Sequence, residues 1–447
     1  MNFRLLSFLL LFYGTSVIAS NTYLEDPDSY YARLKQLQPG DHLQLKPGVY
    51  RKGLPIHHLP GNRLAPITIS GPSGQQSAIF IGRPGHNTVS IIDSSHITIR
   101  NLVIDGIGLP VDGIKCEGHA NWAHHITLEN LQIYGHDHNQ EIVGISTKCP
   151  AWNWIIRHNI IKNAGTGIYL GNSDGRAPFI AGLIEYNLIT HTMGYNLQIK
   201  HQLPRPSIPD IPIEKQHTII RHNVFSKADQ SSTGKAARPN LLVGHWPTDG
   251  NGKDDQYLIY GNYFHQNATE SLFQGEGRIA FYNNLLVNHQ GNAIRLQPRS
   301  AQSDHISIFF NTILTSEIDI FLAKPKNKSN STYWITHNAI FTGKSATASS
   351  LTKNNLVYDY PLAGHYLIQP YLMPGQMNLN LIPQDRMVPK LNINHLKNHL
   401  DWNVDFDGEI SEQRFGAYTN EKRSRWYPNL EIKPVLTTKQ KNNLTTH

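Results

Sequence analysis

Residues 152–179 read WNWIIRHNIIKNAGTGIYLGNSDGRAPF, and residues 180–202 read IAGLIEYNLITHTMGYNLQIKHQ. The two stretches are copies of one unit. Each opens with a short β-rich run around an asparagine, IIRHNII and LIEYNLI. A small-residue corner follows, KNAGTG and THTMGY. A second short strand closes the unit, GIYLGN and NLQIKH. Overlay sets Asn159 on Asn187 and Ile168 on Leu197. So short a unit cannot bury its apolar side alone. If it recurs, the fold is a solenoid whose side chains are read in columns from coil to coil.

It does recur. HITIRNLVIDG, HITLENLQIYG, NWIIRHNIIKN, AGLIEYNLITH, HTIIRHNVFSK, QYLIYGNYFHQ, RIAFYNNLLVN, HISIFFNTILT and TYWITHNAIFT overlay on one another. They share Asn101, Asn130, Asn159, Asn187, Asn223, Asn262, Asn284, Asn311 and Asn338, with gaps of 29, 29, 28, 36, 39, 22, 27 and 27 residues. Coils stacked at about 4.8 Å share one core. Asparagines in register can hydrogen-bond along the stack, and asparagine also tolerates the left-handed backbone of a tight corner. The series is therefore expected to be scaffold. The long gaps hold Pro-, Gly- and charge-rich insertions at 201–215, 227–239 and 245–255. Insertions in a solenoid emerge on one face, often the binding face.

Around this repeat the chain divides into five parts. Residues 1–19 read as a signal peptide, with Arg4 before the apolar run 5–13 and Val17-Ile18-Ala19 at the cleavage end. The apolar run is too short to span a bilayer. A secreted or periplasmic protein without a membrane anchor is expected. Residues 20–65 form an N-terminal cap and first coil, with a short helix over 26–37. Residues 66–345 carry the repeats. Residues 346–436 hold a last imperfect coil and a segment that packs on or caps the stack. Residues 437–447 are a polar tail, expected to be disordered.

Lys and Arg number 40 against 33 Asp and Glu, a formal charge of +7. Without Arg4 this becomes 7 − 1 = +6. The excess suits an acidic partner such as a uronic-acid polymer and falls short of the dense basic patch of a nucleic-acid binder. Export permits a disulfide between Cys116 and Cys149. The column alignment puts them two positions apart on neighbouring coils, so a bond needs distorted stacking, and buried free thiols are the simpler expectation.

Several segments resemble right-handed parallel β-helix, pectin-lyase-like, polysaccharide-active proteins. LQPGDHLQLKPGVYRKG and APITISGPSG are similar to the opening of the alginate/chondroitin lyase branch. VDFDGEISEQRFGAY resembles the D-x-D-G…G-A-Y ending of exported β-helix proteins. The resemblance implies an all-β, right-handed parallel β-helix solenoid with an N-terminal cap and an irregular C-terminal segment. It also implies an extended carbohydrate groove. The branch's catalytic Lys and Arg match no single segment here. The Asp-Pro-His-Asp segment of alginate epimerases is absent, the nearest run being His136-Asp137-His138.

Alternation along the second strands defines two inward columns. One is Ile114, Ile145, Ile168, Leu197, Leu241, Leu272, Ile294 and Ile320. The other is Cys116, Thr147, Leu170, Ile199, Val243, Gln274, Leu296 and Leu322. The outward columns run Lys115, Ser146, Tyr169, Gln198, Leu242, Phe273, Arg295 and Glu117, Lys148, Gly171, Lys200, Gly244, Gly275, Gln297. The small residues make a trough into which the lysines project. Lys148, Lys200 and Arg295 can bind uronate carboxylates. Gln198, Asp174, Arg176 and Arg299 flank them, and Tyr169 and Trp246 offer stacking faces for sugars.

β-Elimination from a uronide needs a cation on the carboxylate, a base for the C5 proton and an acid at the leaving oxygen. Lys200 is assigned as base or neutraliser, His201 or His245 as base, and Tyr169 as acid. The expected function is an exported lyase on an acidic polysaccharide. The alternatives are a hydrolase or epimerase on the same scaffold, or a non-catalytic carbohydrate-binding β-helix. A hydrolase needs paired carboxylates, and Glu117 and Glu276 stand five coils apart. The enzyme reading requires Tyr169, Lys200, His201 and His245 to converge on one groove. No cofactor is expected. Glu117, Asp137, Glu141 and Asp174 are the oxygen donors available to a calcium ion, without a contiguous calcium loop. His136 and His138 form a lone His-x-His pair.

Overall fold

A computed structural model of the chain describes residues 20–297, 305–323, 331–345, 354–382, 393–412, 414–419 and 425–435. The expected signal peptide and tail lie outside these residues. The chain is a right-handed parallel β-helix. Three long parallel sheets run the length of the stack, with 14, 12 and 10 strands. We call them A, B and C. Sheet A runs from Thr22–Glu25 to Thr332–Thr336 and sheet B from Gly48–Tyr50 to Leu356–Asp359. Sheet C, of strands three to five residues long, runs from Leu54–His57 to Ile320–Leu322. Most coils contribute one strand to each sheet, with Ala151–Trp152 and Phe179–Ile180 as extra short strands of sheet A, and the inward aliphatic columns merge into one continuous core. No helix among the described residues is long and apolar enough to cross a membrane.

The asparagine ladder begins at Asn159. The Nδ2 of each donates to the Oδ1 of the next at 2.8–3.0 Å, through Asn187, Asn223, Asn262, Asn284, Asn311 and Asn338 to Asn355. Asn355 opens the last coil, whose strand Leu356–Asp359 completes sheet B. Asn101 and Asn130 are displaced by one residue from this ladder, and the sequence overlay is corrected there. Strand pairing sets Glu129 on Arg157, which puts Asn130 beside His158. Asn101, Asn130 and His158 all hold the left-handed corner, with φ of 57°, 52° and 54°. The ladder position on that coil belongs to Leu131, whose amide donates to Asn159 Oδ1 at 2.9 Å.

A second offset lies in sheet C, where Leu241 pairs with Phe273, Leu242 with Gln274 and Val243 with Gly275. Phe273 and Gly275 therefore face inward, and Gln274 faces out. The reason is volume. The Phe273 ring fills the core so completely that a Cβ on Gly275 would stand 2.7 Å from it. The outward column beside Gly244 continues with Glu276.

Cys116 and Cys149 form a disulfide, with Cα atoms 5.9 Å apart. The strand Val143–Thr147 ends two residues before Cys149, and a bend there turns the second sulfur back over Cys116. Regular stacking is interrupted, which removes the objection drawn from column positions. The bond closes a separation of 33 residues. Replacing both cysteines with alanine should cost about 3–4 kcal/mol, read as a lower denaturation midpoint that reductant does not lower further.

The N-terminal helix is shorter than expected, Tyr30–Leu34, and buries Tyr30 and Leu34 on the first coils. The C-terminal segment lies along the side of the stack. Asp401 Oδ2 accepts from the Tyr260 hydroxyl at 2.9 Å, and the buried Lys433 ammonium donates to Gly261 O and Phe406 O at 3.2 and 2.9 Å.

Candidate functional site

Sheet C carries a cleft of about 750 Å³ on its outer face, centred on the strands Ile114–Cys116, Val143–Thr147, Thr166–Leu170 and Leu197–Ile199. Its floor is the pair of outward columns. Pairing stacks Lys115, Ser146, Tyr169 and Gln198 in one line. Lys148 and Lys200 stand in the adjacent line, separated by Gly171. Gly171 has a φ of +86°, and its amide donates to the inward Thr147 Oγ1 at 2.8 Å, which accounts for a hydroxyl in an apolar column.

Lys148 is the centre of the cleft. Its Nζ sits 3.4 Å from the centroid of the Tyr169 ring. Burial pushes its ammonium down to about 8; Asp112 opposes the shift, and the Lys115 and Lys200 charges reinforce it. Tyr169 is pushed the other way, above its ordinary value, again by burial, and its hydroxyl shares a 2.8 Å hydrogen bond with Ser173 Oγ. Lys115 Nζ pairs with Asp112 Oδ2 at 2.9 Å, and Asp112 Oδ1 accepts from the Val143 amide at 2.9 Å. Glu141 and Gln140 form part of the wall.

The opposite wall is Tyr195 and Arg238. The Arg238 guanidinium lies 5.8 Å from the centroid of the Tyr195 ring. Lys227 is buried beneath this corner. Its Nζ donates to the carbonyls of Thr192, Met193 and Gly194, so it fixes the turn that presents Tyr195. Of the three insertions, the one at 227–239 reaches the cleft, through Arg238. The one at 201–215 instead lays Ile208 and Ile211 against Trp152 and Trp122 at another corner. Arg205 from this insertion and Asp255, at the end of the insertion at 245–255, form a buried ion pair that ties the two together.

The structure gathers Lys148, Tyr169, Gln198 and Lys200 in the cleft. His201 and His245 are not among its lining residues. Their rings stack on each other at 5.1 Å beyond the strand ends, and His245 Nδ1 donates to Trp246 O at 2.9 Å. Trp246 is fully buried, stacked on Tyr257 at 4.2 Å, so it has no face for a sugar. The chain turns after Gly244, and alternation no longer describes the side chains beyond it. Arg295 lies further along sheet C in a smaller depression with Leu242, Gln274, Glu276 and Gln297. Its Nε donates to Gln297 Oε1 at 3.0 Å. Asp174 and Arg176 are exposed, joined by the Arg176 amide donating to Asp174 Oδ1 at 3.0 Å. Arg299 lies outside the described residues.

The oxygen donors considered for calcium are not gathered. Among the described residues, Glu117, Asp137, Glu141 and Asp174 form no group within ligand distance. Glu117 accepts from Asn87 Nδ2 at 2.9 Å. His136 and His138 do not form a chelate either. His136 is fully buried and bound to Val111 O at 2.9 Å, whereas His138 is exposed.

Neither a protein-family model nor a curated protein matches the sequence. Solved structures do resemble the fold. A GH136 lacto-N-biosidase from Eubacterium ramulus aligns at 13% identity with a TM-score of 0.50, over 76% of this chain and 65% of that one. An alginate lyase from Paenibacillus sp. aligns at 14% identity with a TM-score of 0.37, over 76% of this chain and 98% of that one. The catalytic unit of an α-1,3-glucanase from Streptomyces thermodiastaticus aligns at 11% identity with a TM-score of 0.45, over 74% and 64%. These likenesses bear on the fold alone, and the activities named are those of the other proteins.

Proposed function

We propose that this chain is an exported enzyme that processes an acidic polysaccharide, cleaving a uronate-containing glycan by β-elimination in the sheet C cleft. One observation carries the reading. A desolvated amine, Lys148, lies against a tyrosine in a cleft that also holds Lys115, Lys200 and Arg238. Lys148 in its neutral form takes the C5 proton. The released electron pair forms the C4=C5 double bond as the C4–O bond breaks, and Tyr169 supplies the proton to the leaving oxygen. Lys200 and Arg238 neutralise the carboxylate, which stabilises charge building on C5. Gln198 orients the sugar. Of the four residues required to converge, Tyr169 and Lys200 share the cleft and His201 and His245 do not line it, so the scheme takes Lys148 as base in their place.

Two carboxylates, Asp112 and Glu141, also line the cleft and favour a second reading as a glycoside hydrolase. Asp112 is already held by Lys115 and by the Val143 amide, which leaves it poorly placed as a nucleophile. The two readings separate in one assay. The purified protein is incubated with alginate, pectate and glycosaminoglycans, and ultraviolet absorbance of unsaturated uronides is followed beside reducing ends. Elimination raises both. Reducing ends without unsaturation would identify hydrolysis, and binding without either product would identify a carbohydrate-binding β-helix.

A further inference from the structure

At a corner of sheet A, away from the cleft, three imidazoles meet. His96, His124 and His125 each offer a ring nitrogen within 4.8 Å of the others. Among the described residues this is the one group of three His, Cys, Asp or Glu side chains gathered so closely. We propose that His96, His124 and His125 form a binding site for a divalent transition metal of the zinc, cobalt or nickel kind.

The contacts within the group suit a shared nitrogen site. His124 Nδ1 and His125 Nδ1 face each other at 2.7 Å. One proton must lie between them, and a cation can displace it. His96 Nδ1 is buried and has no hydrogen-bond partner, an unusual state for a ring nitrogen. A tetrahedral ion with metal–nitrogen bonds of 2.0–2.1 Å draws its ligand nitrogens to about 3.3 Å of one another. The three nitrogens, which lie within 4.8 Å of one another, would draw together around the ion. An all-imidazole set suits zinc, copper, nickel or iron rather than calcium or magnesium.

The surroundings support the group. Asn153, in the same corner column, places its Nδ2 3.1 Å from His125 Nε2, and the amide's O and N can be exchanged by a flip. With the amide oxygen turned to that nitrogen, it accepts the Nε2 proton and frees Nδ1 for the ion, the outer-shell partnership that ligating histidines require. Trp152 stacks on His124 at 4.5 Å and fixes its plane. The insertion at 201–215 covers Trp152 through Ile211 and brings the Asp210 charge near His125.

The test uses the full, untagged chain stripped with EDTA and titrated with cobalt(II) alone, followed by its visible absorption, with zinc content measured after dialysis. One equivalent per chain is expected. His96→Asn and His125→Asn are each expected to weaken binding by at least about 100-fold. Asparagine is the replacement because Asn153 already holds the same left-handed corner, at φ 56°. His158→Asn, at an equivalent corner elsewhere with φ 54°, should retain full binding. Binding well below one equivalent in the unaltered chain, or undiminished binding in both ligand variants, would overturn the proposal.

Discussion

Lys148→Met is expected to lower kcat/KM on the cleaved uronate polymer by about 10²–10⁴-fold, the usual contribution of a general base. The fold should not suffer. Because burial depresses this ammonium, the charged form costs more in the folded protein than in the unfolded chain. That cost is present below about 8 and is relieved as pH rises toward the ordinary lysine value of 10.5. Removing the charge therefore leaves the unfolding midpoint unchanged or raised. Lys148→Arg keeps a cation that cannot deprotonate, and it should be as inactive as the methionine variant. The same titration sets the pH profile. Activity rises as pH climbs through about 8, where the free amine appears. It falls only where Tyr169, raised above its ordinary value of 10.0, loses its proton. Tyr169→Phe keeps the ring beneath Lys148 and removes the acid, so it should abolish that upper limb together with most of the rate. Full activity in Lys148→Met would move the base to another residue and sink the assignment.

What the sequence made legible is the part governed by periodicity. The overlay of Ile168 on Leu197 is a true pairing. So are the aliphatic column from Ile114 through Leu241 and the placement of Tyr169, Gln198, Lys148 and Lys200 on one outward face. Errors arose where one residue type satisfies two different demands. Asparagine suits both the buried ladder and the left-handed corner, so Asn101 and Asn130 matched their neighbours by letter while standing one position away. Leu272 and Phe273 are both fully buried, and either letter fits the inward column. Trp246 misled for a different reason. The period ends with the strand, and beyond it exposure depends on the path of the turn. The cleft walls were illegible for the same cause. Tyr195 and Arg238 come from a corner and an insertion without alternation, although the long gap after Asn223 marked the region.

Asn223→Ala is expected to destabilise the protein by about 4 kcal/mol. Asn223 sits mid-ladder and fully buried. Its Nδ2 donates to Ile184 O, Arg221 O and Asn262 Oδ1, at 2.9, 3.0 and 3.0 Å. Its Oδ1 accepts from the Asn187 amide and from Asn187 Nδ2, at 3.0 and 2.9 Å. Truncation removes all five bonds at once and leaves their partners in a largely buried place. Each stranded group costs about 1–3 kcal/mol, reduced where neighbours relax. Asn130→Ala is the matched comparison. Asn130 is exposed and makes one side-chain bond, to Asn101, so its loss should cost about 1 kcal/mol, mainly from the left-handed backbone. Because each coil of a solenoid touches only its neighbours, the damage should be local at first. Hydrogen exchange at the Asn187 amide should accelerate well before exchange in the first coils changes. Equal costs for the two substitutions would mean that the ladder does not bear on stability, and that the stack is held by its aliphatic columns alone.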